Sequence, residues 1–182
     1  MITVSRNVFI EAPVERVFAL MADPVARSAL SPHAKPIQVE IEGGESLHVG
    51  SVCHFRLQLE NRIVDYHTRV REFSRNRLIV SVSDTAVPFQ IRLETRPEGD
   101  GTRLTHTEQF EPTEEMLHQA LPPTLANMLL EKIYWLLPFL DMEYAARIQS
   151  EREEALANRL EGNLERWLAA IKRHLESGRD GA

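Results

Sequence analysis

The stretch EREEALANRLEGNLERWLAAIKRHLES, residues 151–177, decides how the rest of the chain is read. Leu156, Leu160, Leu164, Trp167, Leu168, Ile171 and Leu175 recur at spacings of three and four, the repeat of one apolar stripe on a helix with about 3.6 residues per turn. Glu154, Arg159, Glu161, Glu165, Arg166, Lys172 and Arg173 fall outside that stripe and give the helix a wet face. A stripe this long needs an apolar surface to lie on. The plainer expectation is a core helix; the sharper one is a lid over a ligand cavity. Gly162 is the odd residue: Gly inside a helix costs about 1 kcal/mol against Ala, so it predicts a kink or a close approach.

The surface comes from the first two-thirds of the chain. Val4, Arg6, Val8 and Ile10 alternate with Ser5, Asn7, Phe9 and Glu11, the period of a strand. Pro13 then suits the first turn of a helix with Val14, Val17, Phe18 and Met21 on its apolar face. Asp23-Pro24 ends it, and residues 25–30 form a second short helix stopped at Ser31-Pro32. Ile37, Val39 and Ile41 mark the next strand, closed by Gly43-Gly44. Residues 51–60 put Cys53, Phe55, Leu57 and Leu59 on one face, and residues 62–73 put Val64, Tyr66, Thr68 and Val70 inward. Residues 77–83 and 87–95 follow, the latter with Val87, Phe89, Ile91 and Leu93 in line. After the turn Pro97-Glu98-Gly99-Asp100-Gly101, residues 102–110 carry Leu104, His106, Glu108 and Phe110 on one face. Seven strands with short connections predict an antiparallel sheet, hence an α+β fold.

Residues 113–150 form a helical insert before the last helix. Within it, residues 124–146 are apolar almost all round, with Leu125, Met128, Leu129, Ile133, Leu136, Leu137, Leu140 and Tyr144 making a face. Glu131, Lys132, Asp141 and Glu143 interrupt the run and Pro138 would kink it, which argues against a membrane span. Three roles stay open. The insert is extra core, or a cavity wall adding Tyr134, Trp135 and Phe139, or an exposed patch (Leu125 to Tyr144) that serves as a homodimer contact.

Composition narrows the class. The 182 residues suffice for one domain over 1–182, with 178–182 as a disordered tail, and 43% hydrophobic with 26% charged residues describes an ordinary globule. A net charge of -6 argues against nucleic acid as a partner. The single cysteine excludes an internal disulfide, and the N-terminus enters a strand pattern without a leader-like apolar core, so the cytoplasm is expected.

Three local signatures carry a resemblance. They are Val8-Phe9-Ile10-Glu11-Ala12-Pro13-Val14-Glu15-Arg16-Val17-Phe18 followed by Asp23-Pro24, then Gly99-Asp100-Gly101-Thr102-Arg103-Leu104-Thr105-His106, and the Leu-rich final helix. With the order strand, two short helices, six strands and long helix, the chain resembles the START/polyketide-cyclase (SRPBCC) superfamily over residues 3–112 and 151–177. The resemblance implies a helix-grip fold, a seven-stranded sheet curved around the C-terminal helix with an apolar cavity between them. It implies no single activity, since members include lipid carriers, hormone receptors, aromatase/cyclases, quinone-binding proteins and chaperone co-activators. The segment 113–150 departs from the pattern, because typical small members have a shorter link there.

His106 and Glu108 are the candidate chemistry, on the face expected to look into the cavity. A buried polar group must find a partner or shift its pKa. If the register allows, Arg6, on the strand expected to pair with theirs, neutralises Glu108, so the plainer expectation is a structural ion pair or an edge where this face opens to water. Alternatively His106 and Glu108 anchor a ligand head group or move a proton, with Tyr66 and Thr68 completing the set. The expected ligand-binding residues are Phe55, Leu57, Tyr66, Phe89, Ile91, His106, Glu108, Tyr134, Trp135, Leu164 and Trp167. His54 and His67 are expected on the outer face and are too few for a closed metal site. Cys53 has no evident base and reads as a small hydrophobe. No phosphate loop, dinucleotide fingerprint or nucleophile elbow occurs, so neither cofactor nor metal is expected. The functional expectation is binding or transport of a lipid, quinone or polyketide-like aromatic. The alternatives are a cyclase/dehydratase acting on such a molecule, and an interaction module using the insert.

Overall fold

The alternating segments all become strands. The computed structural model describes residues 1–44, 46–59, 62–83, 88–113 and 142–177. In chain order these form β1 (Ile2–Ile10), α1 (Val14–Ala22), α2 (Pro24–Ala29), β2 (Lys35–Ile41), β3 (Val52–Leu59), β4 (Arg62–Ser74), β5 (Leu78–Ser83), β6 (Phe89–Glu98), β7 (Gly101–Phe110) and α3 (Met142–Ser177). The expected homodimer contact from Leu125 to Tyr144, the site candidates Tyr134 and Trp135, Val87 and the tail 178–182 lie wholly or largely outside the described residues.

One seven-stranded sheet runs β1-β7-β6-β5-β4-β3-β2, antiparallel at every step. The two short helices carry the chain from one edge, β1, to the other, β2. Asp23 serves both helices: it ends α1, and its side chain accepts from the Val25 and Ala26 amides to start α2. Bulges between Pro36 and Gln38 and between Val70 and Glu72 add residues to one strand of a pair, which bends a sheet. The second bulge also resets parity. Val64, Tyr66, Thr68 and Val70 face inward as expected, and beyond the bulge Phe73 takes over, meeting Phe18 edge-on at 5.5 Å. At the β6–β7 turn, a Cβ on Gly101 would collide with the Ile10 carbonyl oxygen and the Phe9 ring, so only glycine fits where β7 begins against β1.

The last helix is unbroken from Met142 to Ser177, so it takes in residues 142–150, which the sequence pattern assigned to the insert. No Gly or Pro lies between Met142 and Leu156 to stop it, and an existing helix propagates cheaply. Leu156, Leu164, Leu168, Ile171 and Leu175 are buried on the sheet, while Leu160 and Trp167 are half-buried. The flanking charges depart from the expected wet face. Arg6 pairs with both Glu161 and Glu165, Lys172 Nζ donates to the Phe9 carbonyl at 2.8 Å, and Glu176 accepts from the Glu11 amide at 2.9 Å. Residue numbers rise together along both elements, so α3 runs parallel to β1 and is tied to it by polar contacts. Solvent screens such half-exposed pairs, so register rather than stability is their main effect. Gly162 marks neither a break nor a close approach: the helix is continuous there, and a Cβ would meet only Arg166 Nη1 at 3.9 Å.

Candidate functional site

Around Leu160, Leu164 and Trp167, a cavity of about 350 Å³ opens between α3, α2 and the inward faces of β3, β4, β6 and β7. That volume lies at the low end of the range of about 300–1,000 Å³ found for small-molecule pockets. Of the expected residues, Phe55, Leu57, Tyr66, Ile91, His106, Glu108, Leu164 and Trp167 line it together. Phe89 stands behind the wall, its ring edge-on to Tyr66 at 5.4 Å. Thr68 is buried deeper, with Oγ1 unbonded among the described residues.

Pairing fixes the polar groups. β1 and β7 pair with Arg6 opposite His106 and Val4 opposite Glu108. The expected Arg6–Glu108 ion pair therefore does not form; Arg6 reaches instead to Glu161 and Glu165 on α3. Glu108 turns to its own strand neighbour, with Oε1 3.1 Å from His106 Nε2. That distance suits an ion pair, but the alignment is too poor for a hydrogen bond, and neither His106 ring nitrogen has a hydrogen-bond partner among the described residues. The imidazole packs edge-on against the Trp167 ring at 5.0 Å. Burial alone would raise the Glu108 carboxyl, but His106 beside it more than offsets this and holds it below its ordinary value. About a third of the Glu108 side chain stays exposed (34%), so it stands where the cavity opens.

Tyr66 lies under the same space, stacked on Phe55 with ring centres 5.2 Å apart. Burial pushes its phenol up to about 12, with Arg27 opposing and Glu108 reinforcing the rise. The phenol is therefore a neutral hydrogen-bond donor at any ordinary pH.

Arg27, Ser28, Ser31, His33 and Asn163 line the cavity and have no place in the sequence-derived set. Arg27 is buried on the six-residue helix α2, its guanidinium 6.0 Å from the Phe55 ring centre and its Nη1 donating to the Met21 carbonyl at 2.7 Å. A signal did exist: Arg27 sits three residues from both Pro24 and Leu30, on the inward side of α2. Two contacts fasten this corner to the helix. Trp167 Nε1 donates to the Arg27 carbonyl at 3.2 Å, and Arg166 Nε donates to His33 Nε2 at 2.8 Å.

Two further histidines lie on the outer face of the sheet, on β3 and β4. His54 and His67 stack at 4.5 Å, with Asp65 and Glu40 beside His54 and Glu42 beside His67. Among the described residues no group of three or more His, Cys, Asp or Glu side chains is arranged to hold a metal ion. Cys53 is buried and unpaired, and burial pushes its thiol up, away from nucleophilic character. No helix among the described residues is long and apolar enough to cross a membrane.

Solved structures share this architecture. The Zhui aromatase/cyclase from Streptomyces sp. R1128 superposes with a TM-score of 0.60 at 17% identity, covering 96% of this chain and 93% of that one. The Polyketide_cyc-like protein Cgl2372 from Corynebacterium glutamicum gives 0.54 at 20% identity, covering 96% and 91%. TTHA0849 from Thermus thermophilus gives 0.52 at 21% identity, covering 93% and 99%. At these identities the likeness establishes the fold, a helix-grip arrangement of sheet and C-terminal helix. No curated protein matches the chain. The family model described as polyketide cyclase/dehydrase and lipid transport matches residues 1–133, and the chain belongs to that family.

Proposed function

We propose that this protein binds or carries a hydrophobic small molecule, a lipid, quinone or polyketide-like aromatic, in the cavity between the sheet and α3. The observation behind this reading is the cavity's make-up. Its walls are the apolar side chains of Leu57, Leu59, Val64, Ile91 and Leu160, and a few polar groups, Tyr66, Arg27 and the His106–Glu108 pair, converge on it. An apolar enclosure with sparse polar anchors is the usual composition of a small-molecule site. The lone, unpaired Cys53 fits a reducing compartment, and we place the activity in the cytoplasm. The test is native mass spectrometry of lipid-stripped protein after exposure to a cell extract. The expected result is a retained apolar adduct that is lost in Ile91→Trp, whose larger ring fills the space; protein that takes up nothing refutes the reading.

A second reading is supported by His106. Its ring nitrogens have no hydrogen-bond partner among the described residues and its Nε2 faces a carboxylate, so it is placed to move a proton on a bound molecule. In a cyclase or dehydratase of this kind, the cavity would hold a flexible chain folded while His106 and Glu108 exchange protons with it. Full turnover of a cyclisable substrate by both His106→Ala and Glu108→Gln would remove these residues from any such mechanism.

A further inference from the structure

We infer that the molecule held in this cavity carries an anionic oxygen group, a carboxylate or a comparably acidic enol, which pairs with Arg27. The inference rests on the binding reading above and adds the ligand's charge to it.

Among the described residues Arg27 is a cation without a counter-ion. It is 8% exposed, and no carboxylate among the described residues forms an ion pair with it. A guanidinium has five N–H donors; the one acceptor it has among the described residues is the Met21 carbonyl, reached by Nη1. The nearby acid Asp23 is occupied in capping α2, where Oδ1 accepts from two backbone amides at 3.0 Å. Glu108, the cavity's own carboxylate, is turned to His106. Tyr66 cannot serve as the anion, because burial keeps its phenol protonated.

An unpaired charge of this kind is costly to hold in a low-dielectric interior. Burial accordingly pushes the Arg27 guanidinium below its ordinary value, with no partner strong enough to reverse the shift. The penalty comes from the fold itself, so an arriving anion recovers it, whereas a neutral molecule of the same shape does not. The face of the Phe55 ring supplies only a weak partner at 6.0 Å. The donors left over suit a planar two-oxygen group, which guanidinium binds with two parallel hydrogen bonds. The cavity is thereby polarised, with Arg27 on one wall and Glu108 on another.

The experiment compares matched probes on the whole chain at neutral pH: 2-naphthoate against 2-naphthamide, and decanoate against decanamide. Affinity is read by calorimetry. Site occupancy is read from the NMR signal of the Trp167 indole N–H, which donates to the Arg27 carbonyl. The expected result is a preference of roughly tenfold or more for each acid over its amide, as for a hydrogen bond to a charged group. Arg27→Met is expected to abolish the preference while amide binding persists, and Arg27→Lys to retain part of it. Equal affinity of acids and amides in the unmodified protein overturns this inference and leaves the cavity reading standing. If no probe binds and the Trp167 signal does not move, the cavity reading falls and this inference with it. The unmodified protein alone supplies the deciding comparison, so a variant that fails to fold does not blunt the test.

Discussion

Tyr66→Phe probes the interior of the cavity with a single atom. The substitution keeps the stack on Phe55 and the edge contact with Phe89 and removes only the hydroxyl. In the folded protein that hydroxyl ionises near pH 12, because burial disfavours the phenolate and Glu108 repels it. In the unfolded chain it ionises near pH 10. A raised folded value means that the stabilisation is complete below pH 10 and is lost as pH climbs toward 12. At pH 11 the unfolded phenol is about nine-tenths ionised and the folded one about one-tenth, which by linkage removes about 1.4 kcal/mol. Urea unfolding at pH 9 and pH 11 gives the change for each protein, and the difference between them isolates Tyr66 from every other group titrating in that window. The expected outcome is that wild type loses about 1.4 kcal/mol more than Tyr66→Phe. Tyrosinate absorbance should show one phenol fewer titrating late in the variant. If both proteins lose the same stability, Tyr66 is not enclosed and the cavity is open water.

Other perturbations test the frame around it. Ile171→Ala, in the part of α3 packed flush on the sheet, should cost about 2–5 kcal/mol, and Leu160→Ala, beside existing space, clearly less; equal losses in urea titrations would mean that the helix is not held off the sheet at the cavity. Gly101→Ala should destabilise by at least about 1–3 kcal/mol through collision with the Ile10 carbonyl, while Gly162→Ala should stabilise by up to about 1 kcal/mol, both read as shifts in melting temperature. The His54 imidazole is expected to titrate above its ordinary value, since Asp65 holds the charged form. The stability it lends is present below about pH 6.5 and fades as pH rises through the folded value. Asp65→Asn should bring the NMR titration of His54 back down, and an unchanged titration would exclude the pair.

Much of this molecule was legible in one dimension because its periods are strong. A two-residue alternation can satisfy only a half-buried strand, and a three-four repeat only a helix face, so the seven strands and the stripe from Leu156 to Leu175 follow from local sterics and burial. The inward set Phe55, Leu57, Tyr66, Ile91 and His106 followed from the same parity. Contacts between elements that no period links were not legible. Whether Glu108 meets Arg6 or His106 depends on the β1–β7 register and on where α3 offers Glu161 and Glu165, and both are set by packing of the whole sheet. Arg27 was marked only by its three-residue spacing from Pro24 and Leu30. A six-residue helix gives too few turns for a repeat, and only the docking of α2 beneath Trp167 turns an ordinary surface residue type into a buried cation. The sequence by itself therefore determined which faces are apolar, since that is a property of neighbours along the chain. Tertiary structure decided where those faces separate and which charge is caught between them, since that depends on distances across the chain that no local pattern encodes.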